Sequence, residues 1–112
     1  MTEEQLQSKC TTWFWNTYPE HRRMLFHVDN NSWNNVIGAK KKALGVCAGV
    51  SDLVLILSMG RIVFIETKIP GGKQSNEQLE FEKKLYDRNH LYFIYTSFEE
   101  FKNLIENLLC TN

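Results

Sequence analysis

Two short apolar runs joined by a turn constrain this chain more than any other feature. Leu53–Leu57 and Ile62–Ile65 are strand-sized, and Met59-Gly60-Arg61 between them is turn-sized. The pair reads as a β-hairpin of two buried strands, Ser51 to Ser58 and Ile62 to Lys68. A lone hairpin is marginal in water, so other elements must cover it.

The flanking sequence supplies them. Thr2 or Glu3 to about Asn16 reads as a helix, ended by Thr17-Tyr18-Pro19 because proline disfavours helix in the residue before it. Leu25–Val28 is a short strand, and Asp29 to Asn35 a polar, asparagine-rich loop. Val36 to Leu44 is a short helix with Gly45 past its end. Pro70-Gly71-Gly72 breaks the chain before a helix capped by Ser75 that runs to about Arg88. Leu91 to Thr96 is a strand. Ser97 with Glu100 is a capping-box signature for a last helix with one apolar face of Phe98, Phe101, Leu104, Ile105, Leu108 and Leu109. The order is α-β-α-β-β-α-β-α, an α/β class, and 112 residues suit a single domain over 1–112.

Composition excludes several classes. No run of about 18 uncharged apolar residues is present, so no membrane span is expected. The polar, acidic opening Met1-Thr2-Glu3-Glu4-Gln5 does not read as a signal peptide. Cys10, Cys47 and Cys110 read as free thiols of a reducing cytosol rather than a disulfide framework. No CxxC or CxxH spacing supports structural zinc, and His21, His27 and His90 read as ordinary surface or loop residues. Lys+Arg and Asp+Glu balance at 13 each, which argues against a general polyanion binder. The balance conceals a basic stretch: residues 21–45 hold Arg22, Arg23, Lys40, Lys41 and Lys42 against Asp29 alone.

The hairpin carries the chemistry. Side chains alternate along a strand, so Glu66 and Lys68 share a face. Pairing about Gly60 puts Asp52 opposite residue 67 or 68, gathering both carboxylates and the ammonium at the end away from the turn. Two close carboxylates repel unless a cation sits between them. Mg²⁺ uses one or two carboxylates with water and phosphate oxygens, and activates bound water. A lysine beside such a site orients that water or offsets charge on phosphorus. Taken alone, an Asp and an E-x-K on strands are better explained by a solvated strand face. Three features weigh against that: the apolar run before Glu66, and two polar residues within apolar helix arcs. Glu3 falls on the first helix's Leu6, Cys10, Trp13, Phe14 arc, as Gln7 does and Glu4 does not. It is either a further metal or water ligand or a residue favoured by the helix N-terminus. Gln78 falls within the Leu79, Phe81, Leu85, Tyr86 side of its helix and needs a partner there, at the site or at a loop carbonyl.

Gly49-Val50-Ser51-Asp52, Ile65-Glu66-Thr67-Lys68 and Ser75-x-x-Gln78-x-x-Phe81 together resemble the virus-type replication-repair nuclease (VRR-NUC) family of the PD-(D/E)XK superfamily. Glu3-x-x-Leu6-Gln7, Trp13-Phe14 and Gly45-Val46-x-Ala48-Gly49 extend the resemblance over nearly the whole chain. Ser51 departs from it, standing where the family usually has proline. The resemblance implies a restriction-endonuclease-like core, a mixed four-stranded sheet flanked by helices. It also implies Mg²⁺- or Mn²⁺-dependent cleavage of DNA phosphodiester bonds, with Glu3, Asp52, Glu66, Lys68 and Gln78 in the active site. Asp52, Glu66, Glu3 and the Thr67 carbonyl are the implied metal ligands. Short standalone members, often phage-encoded, are similar to Holliday-junction resolvases that act as homodimers on branched DNA.

Arg22, Arg23, Lys40, Lys41, Lys42 and Lys73 are the candidate phosphate contacts, each set against a plain solvated surface. Trp15 lies off the core arc of the first helix, as a partner surface or as a core satellite against Tyr18-Pro19.

Overall fold

The computed structural model describes residues 1–29 and 35–110. Most of the asparagine-rich loop lies outside the described residues. The first helix, α1 (Glu3–Thr17), opens on a capping box in which Thr2 and Gln5 exchange side-chain to backbone hydrogen bonds. It buries Leu6, Cys10 and Phe14, one residue per turn, and stops before Pro19. A 3₁₀ turn over Pro19–Met24, not apparent in the sequence, leads into β1 (Leu25–His27). α2 (Asn35–Ala43) buries no residue and ends at Gly45, φ +97°. β2 (Leu53–Ile56) and β3 (Ile62–Thr67) form the expected hairpin. α3 (Asn76–Asp87), β4 (Leu91–Tyr95) and α4 (Phe98–Cys110) complete the order.

The sheet runs β1-β2-β3-β4, antiparallel at the first two pairings and parallel between β3 and β4. That parallel pair requires a crossover, which α3 provides. One face buries Leu25, Leu53, Leu55, Val63, Ile65 and Tyr95 in a common core with Leu6, Cys10 and Phe14 of α1 and Phe101, Ile105 and Leu108 of α4. α3 lies on the other face, where Phe81 meets Phe64 edge-on at 5.7 Å. The architecture is α/β, a mixed four-stranded sheet flanked by helices.

Three expectations change. The hairpin register centres on Met59 rather than Gly60, with Ile56 opposite Ile62 and Leu53 opposite Ile65. The cause is the turn: the closing Leu57 N–H bond to the Arg61 carbonyl spans a loop whose Met59 and Gly60 both have positive φ. Extended one step, the register sets Asp52 beside Glu66 instead of residue 67 or 68. β2 is shorter than expected because Ser51 leaves the ladder, its hydroxyl donating to the Leu53 carbonyl at 3.1 Å. Finally, Leu79 and Tyr86 are 49% and 57% exposed, because α3 meets the sheet through Phe81 and Leu85 instead. Among the described residues no helix is long and apolar enough to cross a membrane, and all three cysteines are free thiols.

Met59 is 89% exposed and holds φ +64°, a conformation that asparagine and glycine adopt at less cost. Met59→Asn is therefore expected to stabilise the fold by about 1 kcal/mol. Chemical denaturation of the two proteins checks this; equal midpoints would remove the turn-strain argument.

Candidate active site

The site lies at the open end of the β2–β3 hairpin. The ladder carries Glu66 into the interior, where its side chain is fully buried, followed by buried Thr67 and by Lys68 at 8% exposure. Asp52, half-buried, closes the other side: its Oδ2 accepts the Thr67 backbone N–H at 2.9 Å. The Lys68 N–H donates to the Tyr95 carbonyl at 3.0 Å, so β4 holds the strand end in place.

Gln78 joins these groups. As the third residue of α3 it completes the Ser75 capping box, its Oε1 accepting the Ser75 N–H at 2.8 Å. The same Oε1 accepts from Lys68 Nζ at 2.9 Å, and Nε2 donates to Glu66 Oε2 at 3.0 Å. Lysine only donates, so the amide orientation is fixed by chemistry. The helix cap thus sets the positions of a carboxyl and an ammonium on the neighbouring strand.

Glu66 Oε1 is buried with no hydrogen-bond partner among the described residues. The Asp52 carboxyl group lies within hydrogen-bonding reach of the Glu66 carboxyl. Two carboxylates in direct contact repel unless a proton or a cation sits between them. Burial, and then the Asp52 charge, push the Glu66 carboxyl up to about 9; Lys68 opposes this, and Glu3 adds the smallest contribution. Glu3 therefore stands within electrostatic range, half-buried on a groove of about 670 Å³ that it shares with Glu4 and Asp52. Among the described residues no three His, Cys, Asp or Glu side chains form a metal-binding group. The donor set is a carboxylate pair with backbone oxygen nearby, which suits a hard cation completed by water and phosphate oxygens.

Glycine makes this assembly possible. Gly49 has φ +85°, and a β-carbon built there would lie 2.5 Å from the backbone carbonyl carbon of Glu77. The loop before Asp52 thus passes against the first turn of α3, beside Gln78.

Two further side chains support the site. His27 Nδ1 lies 2.8 Å from the Asp52 carbonyl oxygen and 3.0 Å from the Gln7 amide. A carbonyl only accepts, so Nδ1 carries the proton and donates to Asp52, with the Gln7 Nε2 beside it. Gln7 also meets the Thr67 hydroxyl at 3.2 Å, and that hydroxyl lies 2.6 Å from the Tyr95 phenol. This chain braces the backbone on both sides of the carboxylates. Gln7 announced itself as a polar residue on a buried arc; His27 gave no signal.

The basic residues divide. Arg22 and Arg23 are exposed and line one recess with Trp15, whereas Lys41 forms an ion pair with Asp29 at 2.9 Å. Lys40, Lys42 and Lys73 are exposed.

Two outcomes follow. The native protein holds the Glu66 proton where the unfolded chain, at an ordinary value of 4.5, has lost it. The stability from that proton is full below the unfolded value and is lost as pH rises through about 9. In chelator, the melting temperature should fall from pH 5 to pH 9, and Glu66→Gln should flatten the fall; parallel profiles would refute the buried-proton account. Gly49→Ala should cost about 1–3 kcal/mol in denaturant unfolding through overpacking and its positive φ.

A family model for the VRR-NUC domain matches residues 1–99. Among solved structures, one titled "VRR_NUC domain protein" superposes with a TM-score of 0.77 at 20% identity, covering 95% of this chain and 86% of that one. Another, "VRR_NUC domain", gives 0.62 at 23% identity, covering 95% and 97%. No curated protein matches the chain. The solved structures share the fold, a nuclease-type α/β core. The family match over residues 1–99 places this chain in the VRR-NUC domain family.

Proposed function

We propose that the protein is a Mg²⁺- or Mn²⁺-dependent DNA endonuclease that hydrolyses phosphodiester bonds in branched DNA, in the manner of a Holliday-junction resolvase. The observation that carries this reading is the acceptor pair of Asp52 and Glu66, with Glu66 Oε1 buried and lacking a donor. Asp52, Glu66 and the Thr67 carbonyl would hold the cation, with Glu3 acting through water at the groove. Bound there, a divalent cation supplies an activated water and stabilises charge on a phosphoryl oxygen.

The residues of the chain do the rest. The Thr67 N–H fixes the Asp52 carboxylate, and the Gln78 amide fixes the Glu66 carboxylate, so neither must reorganise to bind. Lys68 is anchored by Gln78 at one of its three donor positions. Its others remain to orient the attacking water and to offset the charge that develops on phosphorus. Exposed Arg22, Arg23, Lys40, Lys42 and Lys73 supply salt-sensitive phosphate contacts; Lys41 reaches phosphate only by giving up Asp29. A homodimer would present two symmetric sites to two opposed strands of a junction. Free thiols are consistent with a cytosolic setting.

The test is cleavage of a labelled four-way junction beside linear duplex and flap DNA, with size exclusion to fix the oligomer. Wild type should cut the junction in Mg²⁺ or Mn²⁺, and Asp52→Ala and Lys68→Ala should each be slower by about 100-fold or more. Mg²⁺ should raise the melting temperature of wild type and not of Asp52→Ala. Cutting by both variants at the wild-type rate would refute the site. Flap cutting in preference to junction cutting would change the substrate and keep the chemistry. Binding without cutting would mark a non-catalytic DNA module.

A further inference from the structure

The groove that reaches Asp52 does not end at the carboxylates. It is lined at its far side by Trp15 and Phe26, and those two residues also line a recess of about 560 Å³ with Arg22 and Arg23. One surface therefore runs between α1 and β1 from Asp52 and Glu3 to a pair of arginines. Glu3 and Trp15 are twelve positions apart on α1, ~18 Å at the helical rise. That span corresponds to about five base steps of a stacked strand.

The far end has a built geometry. The Trp15 indole N–H donates to the Leu25 carbonyl at 3.2 Å, which fixes the ring plane. The ring is half-buried against the core, and the Arg22 guanidinium lies 5.3 Å over it, so Arg22 must swing from the ring to a phosphate when a base takes its place. Phe26 is 39% exposed beside them. Neither arginine has an ion-pair partner among the described residues, in contrast to Lys41. Fixed aromatic faces with unpaired guanidinium groups are the combination that holds single-stranded nucleic acid: bases stack on the rings and phosphates meet the charges. A paired duplex keeps its bases stacked inside and leaves such rings unused.

We propose that this groove seats an unpaired strand at a branch point, with its bases on Trp15 and Phe26, its phosphates at Arg22 and Arg23, and its continuation at Asp52. The inference rests on the nuclease reading but not on its four-way-junction form, whose arms are fully paired; it points the same site toward forks and flaps, which expose unpaired nucleotides. Trp15 and Phe26 are positioning residues: they hold the strand and take no part in bond breaking.

Fluorescence anisotropy on the full chain tests it. The probes are a labelled single-stranded oligonucleotide, a fork with an unpaired arm and a blunt duplex, all in chelator. Wild type should bind the first two more tightly than the duplex. Trp15→Ala and Phe26→Ala should each weaken that binding about fivefold to a hundredfold, with Trp15→Phe restoring most of it. Arg22→Ala should lower the slope of affinity against salt by about one. In Mg²⁺ Trp15→Ala and Phe26→Ala should raise KM on the fork and leave kcat near the wild-type value. Circular dichroism verifies that each variant is folded; if Trp15→Ala is not, Phe26→Ala and Arg22→Ala decide. If the folded variants bind within twofold of a wild type that cleaves, the groove assignment is overturned and the nuclease stands. If size exclusion shows Trp15→Ala dissociating a dimer with unpaired-strand affinity unchanged, the groove is a subunit interface instead. If wild type neither binds nor cuts any DNA, the nuclease reading itself falls, and this inference with it.

Discussion

Two carboxyl groups, Asp52 and Glu66, meet at the open end of the β2–β3 hairpin, and the buried Glu66 Oε1 has no donor among the described residues. That shortage organises the surroundings. The nearest amide donors are committed to other atoms, and Lys68 is anchored by Gln78. The Thr67 N–H serves Oδ2 of Asp52, and the Gln78 amide serves Oε2 of Glu66. The gap between the acids is left to a proton or a cation. Without a cation the site keeps a proton, which is why burial and the neighbouring charge hold the Glu66 carboxyl far above its ordinary value.

The supports are shared rather than duplicated. Gln78 is at once a helix cap and a linker between Glu66 and Lys68, so the start of α3 and the end of β3 are one mechanical unit. Gly49 lets the loop before Asp52 press against the same helix turn. On the other face, Gln7, Thr67 and Tyr95 tie α1, β3 and β4 together beneath the site, and His27 pins the Asp52 carbonyl. Rigidity of this kind suits an electrostatic site, whose groups act best when they need not move. α1 serves twice, since it also forms one wall of the groove that leads from the carboxylates to Trp15.

Much of the fold was legible because it depends on local rules. The Thr2 and Ser75 caps, the Pro19 stop, the strand-sized apolar runs and the amphipathic last helix each follow from residues a few positions apart. Glu3 over Glu4 followed from the helix arc, and the structure leaves Glu3 half-buried and Glu4 exposed. Gln78 was visible as an amide among apolar neighbours, though its partners were left open. Where pattern failed, a long-range contact or an unusual backbone had decided the matter. The hairpin register moved because Met59 takes a conformation that its residue type rarely adopts. Leu79 and Tyr86 stayed exposed because the placement of α3 on the sheet, not the sequence of α3, chooses its buried side.

By itself, then, the sequence determined the order of elements, the hairpin and the gathering of Asp52, Glu66 and Lys68 at one end of it, because strand alternation and turn position fix these locally. The family was also written there, in motifs spread along the chain. Only the tertiary structure decided that Asp52 meets Glu66 with Glu66 Oε1 buried and lacking a donor among the described residues, that His27 bonds the Asp52 carbonyl, and that Trp15, Phe26 and two arginines line a path to it. Those relations join residues up to sixty positions apart, as Gln7 and Thr67 are. Side chains so distant meet only when the sheet and helices have packed, and no spacing rule along the chain encodes that meeting.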